Sequence, residues 1–148
     1  KARIITNSSV KAILDKDGLV SEVVEDGQSG EVGGVSVFGF GKDHEKIHDI
    51  VEGVMNTGYF IGDSLFYPGD AFYNPGKEVE VLALPVAGPW MKLSEAIVYA
   101  EEVKPKKCFP VHDGMLKFLG PVHRVPKEAL SKSGIEFLVL EEGNTINV

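Results

Sequence analysis

The residues of this chain best suited to metal chemistry are His44, Asp70 and His112, with His48 as an alternative to His44. The most conspicuous spacing is His44-Glu45-Lys46-Ile47-His48, a literal HExxH. On a helix its two imidazoles would share a face one turn apart and could hold zinc, with Glu45 as general base. Here Gly39-Phe40-Gly41-Lys42-Asp43 precedes the motif and breaks any helix entry, so a loop is expected and a zinc protease is the last-ranked reading. A second convergence does not need a helix. His44, Asp70 in YPGD and His112 in FPVHDG each follow the end of a strand-like run, and loops at strand ends are where side chains distant in sequence meet. Imidazole nitrogen and carboxylate oxygen are what Zn²⁺ or a similar ion accepts. Taken singly, an Asp after Pro-Gly is more often a turn residue, and a lone His is more often a satisfied structural group.

Elements must carry these residues to one place. Tyr59 to Asp70 reads as a hairpin around a Gly62-Asp63 turn, its second strand Ser64 to Tyr67 stopped by Pro68-Gly69. Before it, Ala2 to Thr6 reads as a strand. Ser8 or Ser9 caps a short helix with Val10, Ile13 and Leu14 on its apolar face, ended by Asp17-Gly18. Strands are expected over Leu19–Val24 and Gly34–Phe40, with a bulge or close backbone approach among Gly33, Gly34, Gly39 and Gly41. After the hairpin come a strand Val79–Leu84, a Pro-Gly loop to Trp90, and a helix capped by Ser94 that buries Leu93, Ala96, Ile97, Ala100 and Val103 and stops at Pro105. Lys107–Val111 is a strand that delivers His112. A helix over Pro126–Lys132 and a closing hairpin of Ile135–Leu140 with Thr145–Val148 complete the chain. Strands first, then strand, helix and strand, predict an α/β sheet covered by helices, with α+β as the alternative.

Four further residues have two readings each. Trp90 either rims a cleft or anchors its loop to the sheet. Asp113 either orients His112 or caps the turn before Gly114. His123 is expected at the surface. Cys108, inside a predicted strand, is expected to be packing rather than a nucleophile.

Composition narrows the function classes. A chain of 148 residues with 43% hydrophobic residues supports one core, and therefore one domain. Fifteen basic against twenty-two acidic residues give a net charge of −7, which disfavours nucleic acid and anionic membranes as partners. A small-molecule substrate is expected instead. One cysteine excludes an internal disulfide and fits a reducing compartment. No apolar run reaches the roughly 18 residues of a membrane helix, so a cytoplasmic location is expected. The chain opens at Lys1 directly into a strand, which is expected of a fragment or processed piece.

The stretches GKDHEKIH, NTGYFIGDSLFYPGDAF, VEVLALPVAGPW and KKCFPVHDG, in that order, resemble the C-terminal two-thirds of a metallo-β-lactamase-superfamily hydrolase, nearest to the branch related to ascorbate-6-phosphate lactonase. The resemblance covers most of Lys1 to His112. It implies part of an αββα sandwich and a divalent cofactor, zinc or alternatively manganese. It further implies His44, Asp70 and His112 as ligands, with Asp70 bridging two ions. The family's HxHxDH signature is nowhere in the sequence. The expectation is therefore an incomplete sandwich whose dinuclear site needs residues upstream of Lys1, supplied by the same polypeptide or by a complementing N-terminal chain. This chain alone is expected to be inactive. A non-catalytic binding or self-associating module is the reading from a different class, since an incomplete sheet exposes an edge and apolar surface.

Overall fold

Runs such as Val35–Phe40 and Gly58–Ile61 mix β-branched and aromatic residues with small ones, the composition that packs on a pleated surface. The computed structural model describes residues 2–141 and 143–145. In chain order the elements are β1 (Ile5–Thr6), α1 (Ser8–Leu14), β2 (Glu22–Val23), β3 (Ser29–Val32), β4 (Val35–Phe40), β5 (Gly58–Ile61), β6 (Leu65–Tyr67), β7 (Val81–Pro85), α2 (Leu93–Val103), β8 (Lys107–Val111), α3 (Gly120–Lys132) and β9 (Glu136–Phe137). Strands β3 to β9 form one seven-stranded sheet in sequence order, and β1 and β2 form a separate parallel pair. Pairing is antiparallel from β3 through β6 and parallel from β6 through β9. Both β4 and β6 oppose β5, so they run the same way as each other and as β7 and β8. The loops leaving β4, β6, β7 and β8 therefore emerge at one edge of the sheet.

A row of directly paired residues, Phe60, Phe66, Leu82, Cys108 and Phe137, crosses five strands on the face that the helices cover. Ala96, Tyr99 and Ala100 of α2 and Leu130 of α3 close over it. Burying each large member contributes about 1.5–3 kcal/mol, so this row is the main source of cohesion between sheet and helices. The opposite face carries Val37, Ile61, Leu65 and Val81 as the adjacent row, with Tyr59 and Tyr67 beside it. Ile61 is 36% exposed there, and Leu65, Tyr59 and Tyr67 are only half-buried. Ile5 and Arg3 line a groove with Val37, Tyr59, Ile61 and Tyr67. No helix among the described residues is long and apolar enough to cross a membrane.

The α/β expectation holds, as do the strand ending at Val111 and the close approach at Gly39, where a Cβ would overlap the Glu25 carbonyl. Several boundaries differ. Helix α1 is capped by Asn7, whose side chain accepts from the Val10 N–H at 2.9 Å, rather than by Ser8 or Ser9, and it buries none of its residues. Helix α2 begins after Lys92, whose N–H donates to Glu95 at 2.7 Å, and its buried residues are Ala96, Tyr99 and Ala100. The hairpin turn has three residues, since Ile61 pairs with Leu65. Helix α3 starts at Gly120 and runs through Pro126, which local sequence alone reads as a start rather than an interior. Instead of a closing hairpin, β9 adds in parallel to β8; residues 146–148 lie outside the described ones.

Candidate metal centre

Strand ends bring the three expected residues together. His44 lies in the loop after β4, Asp70 follows β6 through Pro68-Gly69, and His112 follows β8 directly. His44 Nε2 is 3.3 Å from Asp70 Oδ2, and His112 Nδ1 is 3.1 Å from Asp70 Oδ1. The two imidazoles are 15% and 16% exposed and the carboxylate 42%, so the cluster opens to solvent on the Asp70 side. His44 to His48 form no helix, which removes the geometric basis of the HExxH reading. Within that loop His48 Nδ1 instead accepts the Ile50 N–H at 3.2 Å and braces the loop's tip.

Each member of the cluster is held by its neighbours. The Glu45 N–H donates to the Asp70 carbonyl at 2.9 Å, tying the β4 loop to the β6 loop. His44 Nδ1 lies 2.6 Å from the Glu45 carbonyl. Asn56, which sequence reading missed, fixes Asp70: its amide donates to the Pro68 carbonyl at 2.8 Å and its oxygen accepts the Asp70 N–H at 2.9 Å. Gly69 has φ +73° there, and a Cβ would overlap the Asn56 side chain. Tyr67, also missed, places its hydroxyl 2.8 Å from His112 Nε2. Burial, and secondarily the Asp70 charge, push the Tyr67 phenol up from its ordinary value, so it stays protonated. Nothing in local sequence distinguishes Asn56 or Tyr67 from other polar or strand residues.

The donor set fits a cation. A carbonyl oxygen can only accept, so His44 Nδ1 carries a proton and Nε2 is the ring atom turned toward a carboxylate oxygen. A proton or a metal ion between nitrogen and oxygen would satisfy both atoms at that separation. Donors of one tetrahedral ion with bonds of about 2.0 Å are spaced by about 3.3 Å, close to both observed nitrogen–oxygen distances. Among the described residues no three His, Cys, Asp or Glu side chains are grouped to hold one ion. The two observations are compatible because Asp70 faces His44 with one oxygen and His112 with the other.

A family model described as a β-lactamase superfamily domain matches residues 7–112, a span that contains all three clustered residues. The chain belongs to the metallo-β-lactamase superfamily. Protein Rv0786c of Mycobacterium tuberculosis is 40% identical over 87 residues, a match covering 55% of this chain and 41% of that protein. The chain thus spans about two fifths of this curated relative. Igni18, a metallo hydrolase from Ignicoccus hospitalis, superposes with a TM-score of 0.71 at 14% identity, over 98% of this chain and 68% of its own. The metallo-β-lactamase fold protein YhfI from Bacillus subtilis superposes with a TM-score of 0.64 at 11% identity, over 96% and 63%. These likenesses are of fold.

In this member of the superfamily an aromatic wall backs the cluster. Trp90 stands edge-on to both imidazoles, 6.4 Å from His44 and 6.5 Å from His112 between ring centres, and 5.0 Å from Phe72. Trp90 therefore stands against the cluster, and its neighbour Phe72 belongs to the loop after β6 rather than to the sheet. A Cβ at Gly88 would sit 2.7 Å from the indole nitrogen, so the loop needs glycine there to let Trp90 fold back. His112 adopts φ +68°, a left-handed conformation that costs a non-glycine residue about 1–3 kcal/mol. Asp113, next in the chain, caps no side-chain bond to His112. Its carboxylate instead meets His123 Nε2 of α3 at 2.6 Å, and His123, expected at the surface, is 19% exposed. That contact ties the turn after His112 to α3.

Proposed function

We propose that this chain is the C-terminal metal-binding part of a metal-dependent hydrolase acting on an ester, lactone or phosphodiester. The observation that carries the reading is Asp70 between two histidines, one carboxylate oxygen toward each. His44, Asp70 and His112 would hold the cation, zinc or alternatively manganese, with Asp70 shared where two ions bind. When bound, the cation lowers the pKa of its water and polarises the scissile group's oxygen.

The chain's own residues position and shield this centre. The Glu45 carbonyl and the Tyr67 hydroxyl orient the two imidazoles, Asn56 fixes the Asp70 loop, and Trp90 with Phe72 stands along one side. Three ligands bind an ion weakly, and further ligands would come from residues beyond this chain, in keeping with a match to two fifths of the curated relative. A reducing cytoplasm suits its single thiol. The test is metal content. Purified chain dialysed against zinc should retain it weakly, and Asp70→Ala should lower the retained zinc at least tenfold; equal content in the variant would remove Asp70 from the centre.

A second reading, a binding or self-associating module, is favoured by the half-exposed apolar row of Ile61, Leu65 and Tyr67.

A further inference from the structure

Both ring nitrogens of His112 are engaged by one short segment of chain. Tyr67 and Asp70 bound the turn that leaves β6; the Tyr67 hydroxyl lies 2.8 Å from His112 Nε2, and Asp70 Oδ1 lies 3.1 Å from Nδ1. Pro68 between them is fully buried, and Asn56 bonds both the Pro68 carbonyl and the Asp70 N–H, so the two contacts keep a fixed relation. The ring orientation follows from that pair. Turning the imidazole over would set Cδ2 against Asp70 and Cε1 against Tyr67, and both contacts would be lost at once.

The two histidines therefore turn different nitrogens toward Asp70. His44 presents Nε2, with Nδ1 2.6 Å from the Glu45 carbonyl, whereas His112 presents Nδ1, with Nε2 against a hydroxyl. Their supports differ in kind. A carbonyl only accepts, which fixes the proton on His44 Nδ1, while a phenol both donates and accepts. Without a cation, neutral His112 satisfies its neighbours as the Nδ1–H tautomer, donating to Asp70 and accepting from Tyr67. With a cation in place of that proton, the ring's one proton must sit on Nε2, and the hydroxyl must then accept it.

We infer, on the reading that this cluster binds a cation, that His112 ligates through Nδ1 and His44 through Nε2, with Tyr67 the positioning residue that selects Nδ1. Binding then moves the His112 proton from Nδ1 to Nε2 by exchange with solvent and reverses the Tyr67 hydrogen bond. The count of protons on the ring does not change.

Long-range ¹H–¹⁵N spectra of the labelled chain test this directly, recorded at about pH 8, where an imidazole with the ordinary pKa of about 6.5 is neutral. Zinc-loaded protein should show His112 protonated at Nε2 only and His44 protonated at Nδ1 only. Tyr67→Phe keeps the ring and removes the hydroxyl; it should weaken zinc binding about 10–100-fold in calorimetric titration, as loss of a ligand-orienting group does, and let His112 sample both ring orientations. A loss of fold stability alone would leave the His112 nitrogen shifts unmoved, and the spectrum of the unsubstituted chain decides the ligating atom whether or not the variant folds. Zinc found on His112 Nε2, or unchanged His112 shifts and zinc affinity in Tyr67→Phe, would overturn the assignment while leaving the metal centre standing. Histidine spectra that zinc does not alter at all would sink the metal-centre reading, and the assignment with it.

Discussion

Asn56 shows how one buried amide can set a site it does not join. Both ends of its side chain are used, one on the Pro68 carbonyl and the other on the Asp70 N–H, and the residue is 7% exposed. Removing it leaves the buried Pro68 carbonyl and the part-buried Asp70 N–H unpaired, which costs about 1–3 kcal/mol. It also frees the Pro68–Asp70 turn. Asn56→Ala should therefore weaken zinc binding about 10–100-fold, as loss of a group that orients a ligand does, and lower the unfolding free energy by about 1–3 kcal/mol. Calorimetric zinc titration beside urea unfolding checks both. Loss of stability with unchanged zinc affinity would show that Asn56 serves the fold and not the ligand. The tie between Asp113 and His123 anchors the turn that follows His112, the cluster's other histidine neighbour of Asp70.

At the scale of elements, β8 links core to site, since Cys108 lies under the helices and His112 leaves its end. Burial pushes the Cys108 thiol up to about 12 from an ordinary 9.0. A raised thiol pKa means the folded state holds its proton where the unfolded state releases it. The associated stability is complete below about pH 9 and is lost as pH climbs from there toward 12, by at most about 1.4 kcal/mol per unit. Tyr59, pushed up to about 12 by burial, and Tyr99, raised for the same reason, add to the loss from about pH 10. Urea midpoints at pH 8, 9, 10 and 11 should fall less steeply in Cys108→Ala than in the natural chain, with the difference opening above pH 9. Parallel profiles would mean that the thiol titrates in the folded state as it does in the unfolded one.

For the whole molecule, the decisive feature is a sheet with unequal faces. One face is sealed by α2 and α3, while the other leaves Ile61 exposed and Leu65 and Tyr67 half-buried. Apolar surface of this kind is covered by another part of the same protein or by another chain. If further sequence completes the domain, this chain alone should turn over p-nitrophenyl esters negligibly and self-associate, with sedimentation shifting to smaller species in Ile61→Lys. Robust zinc-dependent turnover by a monomer of this chain would overturn that expectation and place every needed ligand within these residues.

Local sequence determined the strands around Tyr59–Asp70 and Lys107–Val111, the loops that follow them, and the residue types His44, Asp70 and His112, because alternation and Pro-Gly turns act between near neighbours. It also gave the α/β class and the burial of Cys108. Only tertiary structure decided that His44 and not His48 meets Asp70, that Asn56 and Tyr67 serve the cluster, that His123 is tied to Asp113, and that β9 joins in parallel rather than folding back. Those features depend on partners 10 to 45 residues apart, as with Asp113 and His123 or Tyr67 and His112. No periodicity in the chain encodes such pairs; they exist once the parallel strands have set their loops along one edge of the sheet.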